Sequence, residues 1–434
     1  MRIQVKVAFA LVVGAWVWCV GALEVEQVFR PERFTRGNTS LVPVQPIDAA
    51  AWVWLDGVGV AQGDFTPFVR FRCDFAADPA APLRFDVSAD ARFVLLLDGA
   101  VIARGPHKGV VNRWYYETYA VRDLAAGMHR MEAVVFDPGR KGALSILSSG
   151  RNGFVLKAEG AYDERLTTGK AAWRAAEVTS ILYGRVTDPD TMTGAETISV
   201  GTGFLDAVPP AAAWRAVQVV RPPLTTSEYG FRAPGWVLFP TERPDPLEQV
   251  RTGGSVRAVQ AAFDETNRFY AASDAADARV ADVQALLKEG RPLTVGPHTR
   301  LRFLWDLEDY CCAFPELETS GGAGADIRWS WAERLYDGAM TPVNRDVFVG
   351  ARVARSMDDT FRCDGRTRAR FTTPWWRSGR WIEIAVATGD APLTLTRLAV
   401  AETRYPLEPT MRFACDDPSI ADVQRICVRG MQNC

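Results

Sequence analysis

The chain has few of the residues and motifs from which most metal and nucleophilic sites are built. It contains 3 histidines, and its 8 cysteines include no Cys-x-x-Cys pair. It also lacks a Gly-x-Ser-x-Gly elbow and a phosphate-binding glycine loop that opens a helix. These absences argue against a zinc site, a serine hydrolase and a nucleotide-binding enzyme. We therefore predict no metal and no cofactor from the residues themselves.

A block of charge of one sign is also missing. The chain has 50 basic and 52 acidic residues, which give a net charge of −2. Proteins that bind nucleic acid usually carry a strongly basic face, so we expect no nucleic-acid partner.

Long hydrophobic runs are absent apart from the first residues of the chain. Residues 7–18 are apolar, follow Arg2 and Lys6, and precede the small residues Gly21 and Ala22. This run is shorter than the roughly 20 residues that span a bilayer. Its pattern is typical of a secretory signal peptide over residues 1–22. We predict a protein exported to the periplasm or the cell exterior, without a stable membrane span.

The sequence does contain the alternation of apolar and polar residues that is typical of β-strands. Leu83, Phe85 and Val87 alternate with polar residues, and Asp98-Gly99 is a two-residue hairpin signal. Short strands at this spacing predict an all-β chain of two β-sandwich or jelly-roll domains. The predicted boundaries are a linker at 23–47, a first domain at 48–208 and a second domain at 209–405.

Two segments have helical rather than strand periodicity. A small insertion at about 264–290 places Val280, Val283 and Leu287 on one face, and Gly290 is suited to end it. A second helix is expected within residues 406–434, with Asp417 as its cap and Pro418 in its first turn.

The second helix has an apolar stripe that continues towards the end of the sequence. Ile420, Val423, Cys427 and Met431 recur at helical spacing, and no stop signal follows them. We expect a further domain beyond this helix, and we expect that domain to carry the chemistry.

Aromatic residues supply the candidate binding positions. Trp114 and Tyr116 share one face of a predicted strand, while Tyr115, Glu117 and Tyr119 share the other. One face must pack on the core, and the opposite face could stack a sugar. Trp375 and Trp376 pose the same question, since adjacent side chains diverge in an extended chain. Core packing or a domain contact is the alternative at each position.

Acidic candidates are less specific because carboxylates are plentiful. Glu333 follows the Trp-rich strand around Trp329 and Trp331, and it is the most suggestive of them. A strand-end carboxylate bonded to neighbouring groups is the alternative. Asp306, Glu308 and Asp309 lie close together near Trp305, where a solvated strand edge explains them as well as a site does. The candidate carbohydrate-binding residues are therefore Trp114, Tyr116, Glu333, Trp375 and Trp376.

Three segments together resemble the N-terminal β domains of bacterial α-L-rhamnosidases, a glycoside hydrolase family. Residues 83–105 and 113–124 resemble a galactose-binding-like jelly roll, with its Ser-Ala-Asp turn and Trp-Tyr-Tyr run. Residues 304–307 and 331–336 are similar to a second β-sandwich. The most specific match is the Trp-Trp-Arg-Ser-Gly-Arg-Trp segment at 375–381, which is followed by the helix near residue 420.

The resemblance implies a longer enzyme with a six-hairpin (α/α)6 catalytic barrel, of which residues 406–434 would be the start. Such an enzyme hydrolyses terminal α-L-rhamnosyl bonds with inversion, by means of two carboxylates that lie in the barrel. No position in this chain inherits either role, so we predict no catalytic residue here. A rhamnose-containing glycan and the catalytic barrel become the expected partners. Such jelly rolls can also hold a structural calcium, but no loop identifies its ligands.

Three functions remain open from the sequence. The chain could be the non-catalytic N-terminal portion of an exported rhamnosidase-like hydrolase, inactive alone, with exposed apolar surface around Ile420, Val423 and Cys427. It could be a freestanding carbohydrate-binding module with an exposed Trp114 or Tyr116. It could also be a complete glycosidase that uses Glu333 in the β domains.

Overall fold

In the computed structural model the chain forms two compact units. Unit 1 comprises Met1–Val178 and Val208–Asp245, and unit 2 comprises Thr179–Ala207 and Pro246–Cys434. The structure describes residues 4–6, 23–31, 41–42, 44–58, 68–78, 81–137, 148–186, 195–224, 228–229, 236–261, 263, 267–344, 350–354, 356–407, 410, 416–417 and 419–433. Most of the predicted signal peptide and Pro418 lie outside the described residues.

The described residues are mainly strands, which confirms the all-β prediction at the level of class. In chain order the strands are β1 (Gln4–Lys6), β2 (Glu24–Gln27), β3 (Leu41–Val42), β4 (Trp52–Trp54), β5 (Phe68–Ala77), β6 (Leu83–Asp90), β7 (Arg92–Leu97), β8 (Ala100–Gly105), β9 (Trp114–Arg122), β10 (Gly127–Phe136), β11 (Gly153–Ala158), β12 (Arg174–Glu177), β13 (Ile181–Val186), β14 (Ala195–Val200), β15 (Arg215–Ala216), β16 (Gln218–Arg221), β17 (Glu228–Tyr229), β18 (Leu238–Pro240), β19 (Leu247–Arg251), β20 (Ser255–Ala261), β21 (Phe269–Ala271), β22 (Leu293–Val295), β23 (Arg300–Gly321), β24 (Asp326–Ala332), β25 (Gly350–Arg352), β26 (Met357–Arg362), β27 (Ala369–Phe371), β28 (Arg377–Ala387) and β29 (Leu393–Arg404). The α-helices are α1 (Asp163–Leu166), α2 (Arg279–Glu289) and α3 (Ser419–Gln432). None of these helices is long and apolar enough to cross a membrane.

Unit 1 contains two large sheets that contribute to one hydrophobic core. One sheet has the order β1-β2-β9-β6-β11-β4-β16, with β18 beside β9, and the other has the order β15-β12-β5-β10-β7-β8. Leu83, Phe85 and Val87 are fully buried in this core, as their alternation predicts. Asp98 and Gly99 both have positive φ and join β7 to β8, which confirms the hairpin. The jelly-roll and galactose-binding-like details remain predictions.

Unit 2 is organised around β23, which is 22 residues long. Its first half pairs with β28 and its second half pairs with β29, and the register shifts between Asp306 and Cys311. This irregularity allows one strand to serve two partners within an 11-stranded sheet. Helix α2 buries Val283, Leu286 and Leu287 and ends at Gly290, whose φ is +68°. The predicted helical insertion is thus present, although its α-helix begins at Arg279.

The division into units differs from the predicted boundary between residues 208 and 209. Residues 179–207 group with unit 2 because β14 pairs with β26, where Thr197 bonds to the buried Asp359 through both its backbone N–H and its hydroxyl. Residues 208–245 group with unit 1 because β16 pairs with β4 and β18 pairs with β9. The residues that follow the predicted boundary, up to Asp245, therefore lie within unit 1.

Candidate functional site

Trp114 and Tyr116 are both buried, at 2% and 1% exposure. They lie in a cluster with Trp52 and Trp236, whose rings stack 3.9 Å apart. The indole N–H of Trp114 donates to the carbonyl of Ala89 at 3.2 Å. The expectation that this face of β9 presents a ring to solvent is wrong, because both rings pack within this buried cluster, which also includes Ile47 and Leu238.

The partly exposed ring of this segment is Tyr115, on the opposite face of β9. Phe239 is its register partner on the parallel strand β18. Arg113 lies over the Phe239 ring at 4.6 Å, and its Nε donates to the Tyr115 hydroxyl at 3.1 Å. Arg243 lies over the Tyr115 ring at 5.3 Å. We call Arg113, Tyr115, Phe239 and Arg243 the Tyr115 platform.

A buried polar cluster continues from the Tyr115 platform along the same face of β9. Glu117 is fully buried and accepts a hydrogen bond from the backbone N–H of His107 at 2.7 Å. Tyr119 donates its hydroxyl to Asp245 at 2.8 Å, and the side-chain amide of Gln27 donates to the other oxygen of that carboxylate at 3.1 Å. Both of these donors are neutral.

Burial sets the protonation of this cluster. It raises the pKa of Glu117 to about 8, and the nearby Asp245 charge adds to the effect. It also lowers the pKa of His107 to about 4, with further lowering by the positive charges of Arg92 and Arg243. At neutral pH Glu117 is therefore protonated and His107 is uncharged.

Glu333 lies just after β24 and is exposed. It accepts a hydrogen bond from the hydroxyl of Tyr310 at 3.2 Å. Burial raises the pKa of Tyr310 to about 12, so the tyrosine stays protonated and acts as a donor. This arrangement matches the alternative of a strand-end carboxylate bonded locally, and the role of Glu333 in sugar binding remains a prediction.

The neighbouring acidic residues have structural partners. Asp306 is fully buried and accepts hydrogen bonds from the guanidinium groups of Arg380 and Arg257 at 2.7 Å each. Asp309 lies 3.0 Å from the Nε of Arg429. The solvated-edge interpretation is wrong for Asp306, because β20 and β28 flank β23 and bring both arginines to its carboxylate.

Trp375 and Trp376 precede β28 and contact each other, with ring centres 5.5 Å apart. Trp375 is 9% exposed and Trp376 is half-buried. Trp376 therefore has the more accessible ring of the two. A carbohydrate-binding role for the pair remains a prediction.

The polar side of helix α3 is bonded to other residues of unit 2. Arg429 pairs with Glu402 and donates to the carbonyl of Tyr310 at 2.8 Å, while Gln432 donates to the carbonyl of Leu407 at 3.4 Å. The start of the helix agrees with the sequence, since Asp417 accepts a hydrogen bond from the backbone N–H of Ser419.

The apolar side of α3 is exposed. We call Val423, Ile426, Cys427 and Met431 the α3 stripe. Val423 is 52% exposed, Ile426 is 62% exposed and Met431 is 53% exposed. Cys427 is also exposed. Ile420, which was expected in this surface, is half-buried. Contiguous exposed apolar surface of this kind commonly marks a protein interface.

Sequence reasoning selected Trp114 and Tyr116 on β9, and both side chains are buried. The alternation placed Tyr115 and Glu117 together, which the structure confirms. Phe239 and Arg243 gave no signal, because their link to β9 is a parallel pairing between strands more than a hundred residues apart. Nothing in the local pattern around residue 239 indicates that partner.

These features define an all-β chain with an aromatic and basic surface in unit 1 and an exposed amphipathic helix in unit 2. No protein-family model and no curated protein matches the chain. Solved structures of α-L-rhamnosidases share its fold. The GH78 family rhamnosidase of Bacillus sp. GL1 matches with a TM-score of 0.61 and 14% identity, over 85% of this chain and 56% of that one.

Two further α-L-rhamnosidase structures have a fold similar to that of this chain. The enzyme from Aspergillus terreus matches with a TM-score of 0.53 and 16% identity, over 88% of this chain and 39% of that one. The enzyme from Streptomyces avermitilis, in complex with L-rhamnose, matches with a TM-score of 0.50 and 18% identity, over 85% and 32%. The chain thus spans between about a third and about half of the length of these enzymes.

Proposed function

We propose that this chain is the β-rich, non-catalytic portion of an exported α-L-rhamnosidase-like glycoside hydrolase. In this role it binds a rhamnose-containing glycan and supports a helical catalytic domain. The observation that carries the proposal is the similarity of fold to four α-L-rhamnosidases over 85–88% of this chain, which spans at most 56% of theirs.

The Tyr115 platform supports the carbohydrate-binding part of the proposal. A partly exposed tyrosine beside a phenylalanine offers an apolar surface for the C–H face of a sugar ring. The phenol, and the guanidinium groups that lie over the rings, supply hydrogen-bond donors for hydroxyl groups. Within the described residues this combination lies on paired strands, β9 and β18, so its rings are held in fixed positions.

The arrangement of the carboxylates supports a non-catalytic role. Inverting glycosidases need two carboxyl groups about 6.5–9.5 Å apart across an accessible bond. Asp306, Asp359 and Glu383 are buried and bound to arginine side chains, as expected of structural charges. Glu333 is accessible, but its described partner is a tyrosine.

A binding assay with the full 434-residue chain tests the proposal. We expect saturable binding of methyl α-L-rhamnoside by titration calorimetry, together with no release of nitrophenol from p-nitrophenyl α-L-rhamnoside. Tyr115→Ala should weaken binding roughly tenfold or more, since the loss of one stacked ring costs about 1–3 kcal/mol in comparable stacking contacts. Tyr405→Ala, which removes an exposed tyrosine of unit 2, should leave binding unchanged.

Two outcomes of this assay would contradict the proposal. Turnover of the nitrophenyl substrate that is lost in Glu333→Gln would place an active site in the β-rich units. Absence of any rhamnoside binding would remove the carbohydrate-binding role.

The α3 stripe supports the second role, as a contact for apolar helices of a catalytic domain. Helices that pack on helices use apolar positions three and four residues apart, and Val423, Ile426 and Cys427 have this spacing. The polar side of α3 is already bonded to unit 2, so the apolar side remains for the partner.

Replacing Ile426 and Met431 by aspartate is expected to abolish most binding of a hydrophobic dye to the chain. Because both side chains are more than half exposed, the thermal unfolding of unit 2 should change little. Fluorescence of anilinonaphthalene sulfonate measures the exposed apolar surface. Asp422→Ala is the matched control on a charged position of the same helix. Unchanged dye binding in the double variant would show that the apolar surface lies elsewhere.

A further inference from the structure

The part of β23 that contacts helix α3 is a bulge. Residues 307–310 lie opposite Arg380 alone on β28, because the register between the two strands shifts there. Within the bulge Glu308 has a φ of +67°, a left-handed conformation that is uncommon for a residue other than glycine. The carbonyl of Tyr310 accepts a hydrogen bond from the guanidinium of Arg429 at 2.8 Å. The bulge therefore presents a backbone acceptor to α3.

Arg429 is the central residue of this contact. Its Nη2 donates to the Tyr310 carbonyl, its Nε lies 3.0 Å from the carboxylate of Asp309, and its Nη1 forms an ion pair with Glu402. Each guanidinium nitrogen thus faces a different oxygen, and these oxygens belong to two strands, β23 and β29. The Glu402 side chain is only 7% exposed, and it also pairs with Arg251 at 3.2 Å. We call Arg429 with Asp309, Tyr310 and Glu402 the Arg429 latch.

Apolar packing contributes little to the position of α3. None of the 14 side chains of this helix is buried; Ile420 and Val428 are half-buried, and the α3 stripe is exposed. An isolated helix of this length is marginal in water, and Gly430 lowers its helix propensity further. The order of α3 therefore depends on the polar contacts of its inward side. Arg429 supplies the charge-assisted ones, which are the stronger kind.

We propose that α3 is a conditional helix, whose order depends on the Arg429 latch, and that the α3 stripe exists as a docking surface only while the latch is closed. When the latch opens, residues 419–432 lose helical order, and the apolar side chains no longer share one face. Because the Asp309 side chain is 52% exposed, salt weakens this part of the latch. The link to domain docking rests on the proposed function of the α3 stripe, whereas the latch itself does not.

Hydrogen–deuterium exchange of the full 434-residue chain tests the proposal. Arg429→Gln should speed amide exchange in peptides that cover Ser419–Gln432 about tenfold or more, the size expected when hydrogen bonds to a charged group are lost. Glutamine has a helix propensity close to that of arginine, so the change acts on the latch. Exchange in peptides of β28, Arg377–Ala387, should stay unchanged and shows that unit 2 remains folded.

Two further variants assign the effect to the latch. Arg425→Gln is the matched control, because Arg425 is 74% exposed and its partner among the described residues is Asp422 of the same helix. Its exchange in α3 should equal that of the wild-type chain. Asp309→Asn weakens the latch from the side of β23. It should speed exchange in α3 at low salt and by a smaller factor at about 1 M salt, where charges are screened beyond about 3 Å.

Each outcome decides the proposal. Unchanged exchange of α3 in Arg429→Gln overturns it, and so does an equal acceleration in Arg425→Gln. If Arg429→Gln accelerates exchange in β28 as well, Asp309→Asn decides: acceleration confined to α3 supports the latch, and any other result overturns it. No sugar enters this experiment. Failure of rhamnoside binding therefore leaves the latch in place, and failure of the latch leaves the carbohydrate-binding proposal in place.

Discussion

Replacing Asp306 by alanine is expected to lower the free energy of unfolding of unit 2 by about 3–5 kcal/mol. The Asp306 side chain is fully buried and accepts hydrogen bonds from Arg380 and Arg257 and from the backbone N–H of Glu308. Removing the carboxylate leaves Arg380, which is only 9% exposed at its side chain, as a buried charge without its main partner. Most of this loss in the free energy of unfolding comes from leaving the Arg380 guanidinium buried without the carboxylate. The interaction energy of the ion pair itself contributes less.

The dependence on pH should have a defined sign. Burial alone would raise the pKa of Asp306, but the hydrogen bonds from Arg380 and Arg257 outweigh it and hold the pKa below its ordinary value. A carboxyl with a depressed folded-state pKa stabilises the fold above its unfolded pKa, and this contribution is lost as the pH falls through the folded value. The Asp306→Ala variant should therefore lose less stability on acidification than the wild-type chain does.

Urea unfolding followed by tryptophan fluorescence measures the effect, because Trp305 is buried beside Asp306 in the sequence. Asp390→Ala is the matched control: Asp390 is fully exposed, and its partner among the described residues is the exposed His298. No measurable change is expected in the control. A loss below about 1 kcal/mol in Asp306→Ala would mean that Arg380 and Arg257 reach solvent when the carboxylate is removed.

Local features of the fold could be predicted from the sequence. The alternation at β6, the Asp98-Gly99 turn and the end of α2 at Gly290 depend on interactions within about ten residues, and each is present. A residue pattern of period two indicates which side chains share a face of a strand. It does not indicate which other residues cover that face.

The choice of candidate site residues depended on knowing what covers each face of a strand. Trp114 and Tyr116 were chosen because a ring on a strand can face solvent, yet both pack in a buried cluster with Trp52 and Trp236. Asp306 similarly finds Arg257 and Arg380 at separations of 49 and 74 residues along the chain. Such long-range pairings are set by sheet topology, which a single sequence does not encode in any local signal.

Raising the pH from about 6.5 to about 8 is expected to destabilise unit 1, and Glu117→Gln is expected to remove that effect. The carboxyl of Glu117 has an ordinary pKa of 4.5, and burial raises it to about 8 in the folded chain. Between these values the unfolded chain has released the proton and the folded chain keeps it. Unfolding therefore releases a proton, and stability falls as the pH rises, by at most about 1.4 kcal/mol per pH unit.

The upper part of this range isolates Glu117 from its neighbours. His107 has a folded pKa of about 4 against an ordinary 6.5, so it adds stability as the pH rises through that interval and opposes Glu117 there. Asp90, with a folded pKa of about 6 against 3.8, destabilises unit 1 over its own interval as the pH rises. At pH 6.5 the unfolded chain still has His107 half protonated, so this opposing contribution fades only towards about pH 7.5. The difference in slope between the wild-type chain and Glu117→Gln therefore isolates the contribution of Glu117.

Glutamine is the appropriate replacement because it resembles the protonated carboxyl in shape and charge. Its carbonyl oxygen can still accept the hydrogen bond from the backbone N–H of His107, which Glu117 receives at 2.7 Å. Urea unfolding midpoints at several pH values between 6.5 and 8 measure the slope, and Glu242→Gln is the control at an exposed glutamate of unit 1. A wild-type slope near zero would mean that Glu117 is already ionised when folded, and its buried carboxylate would then need a cationic partner. Arg92, whose charge acts on Glu117, would be the side chain to supply it.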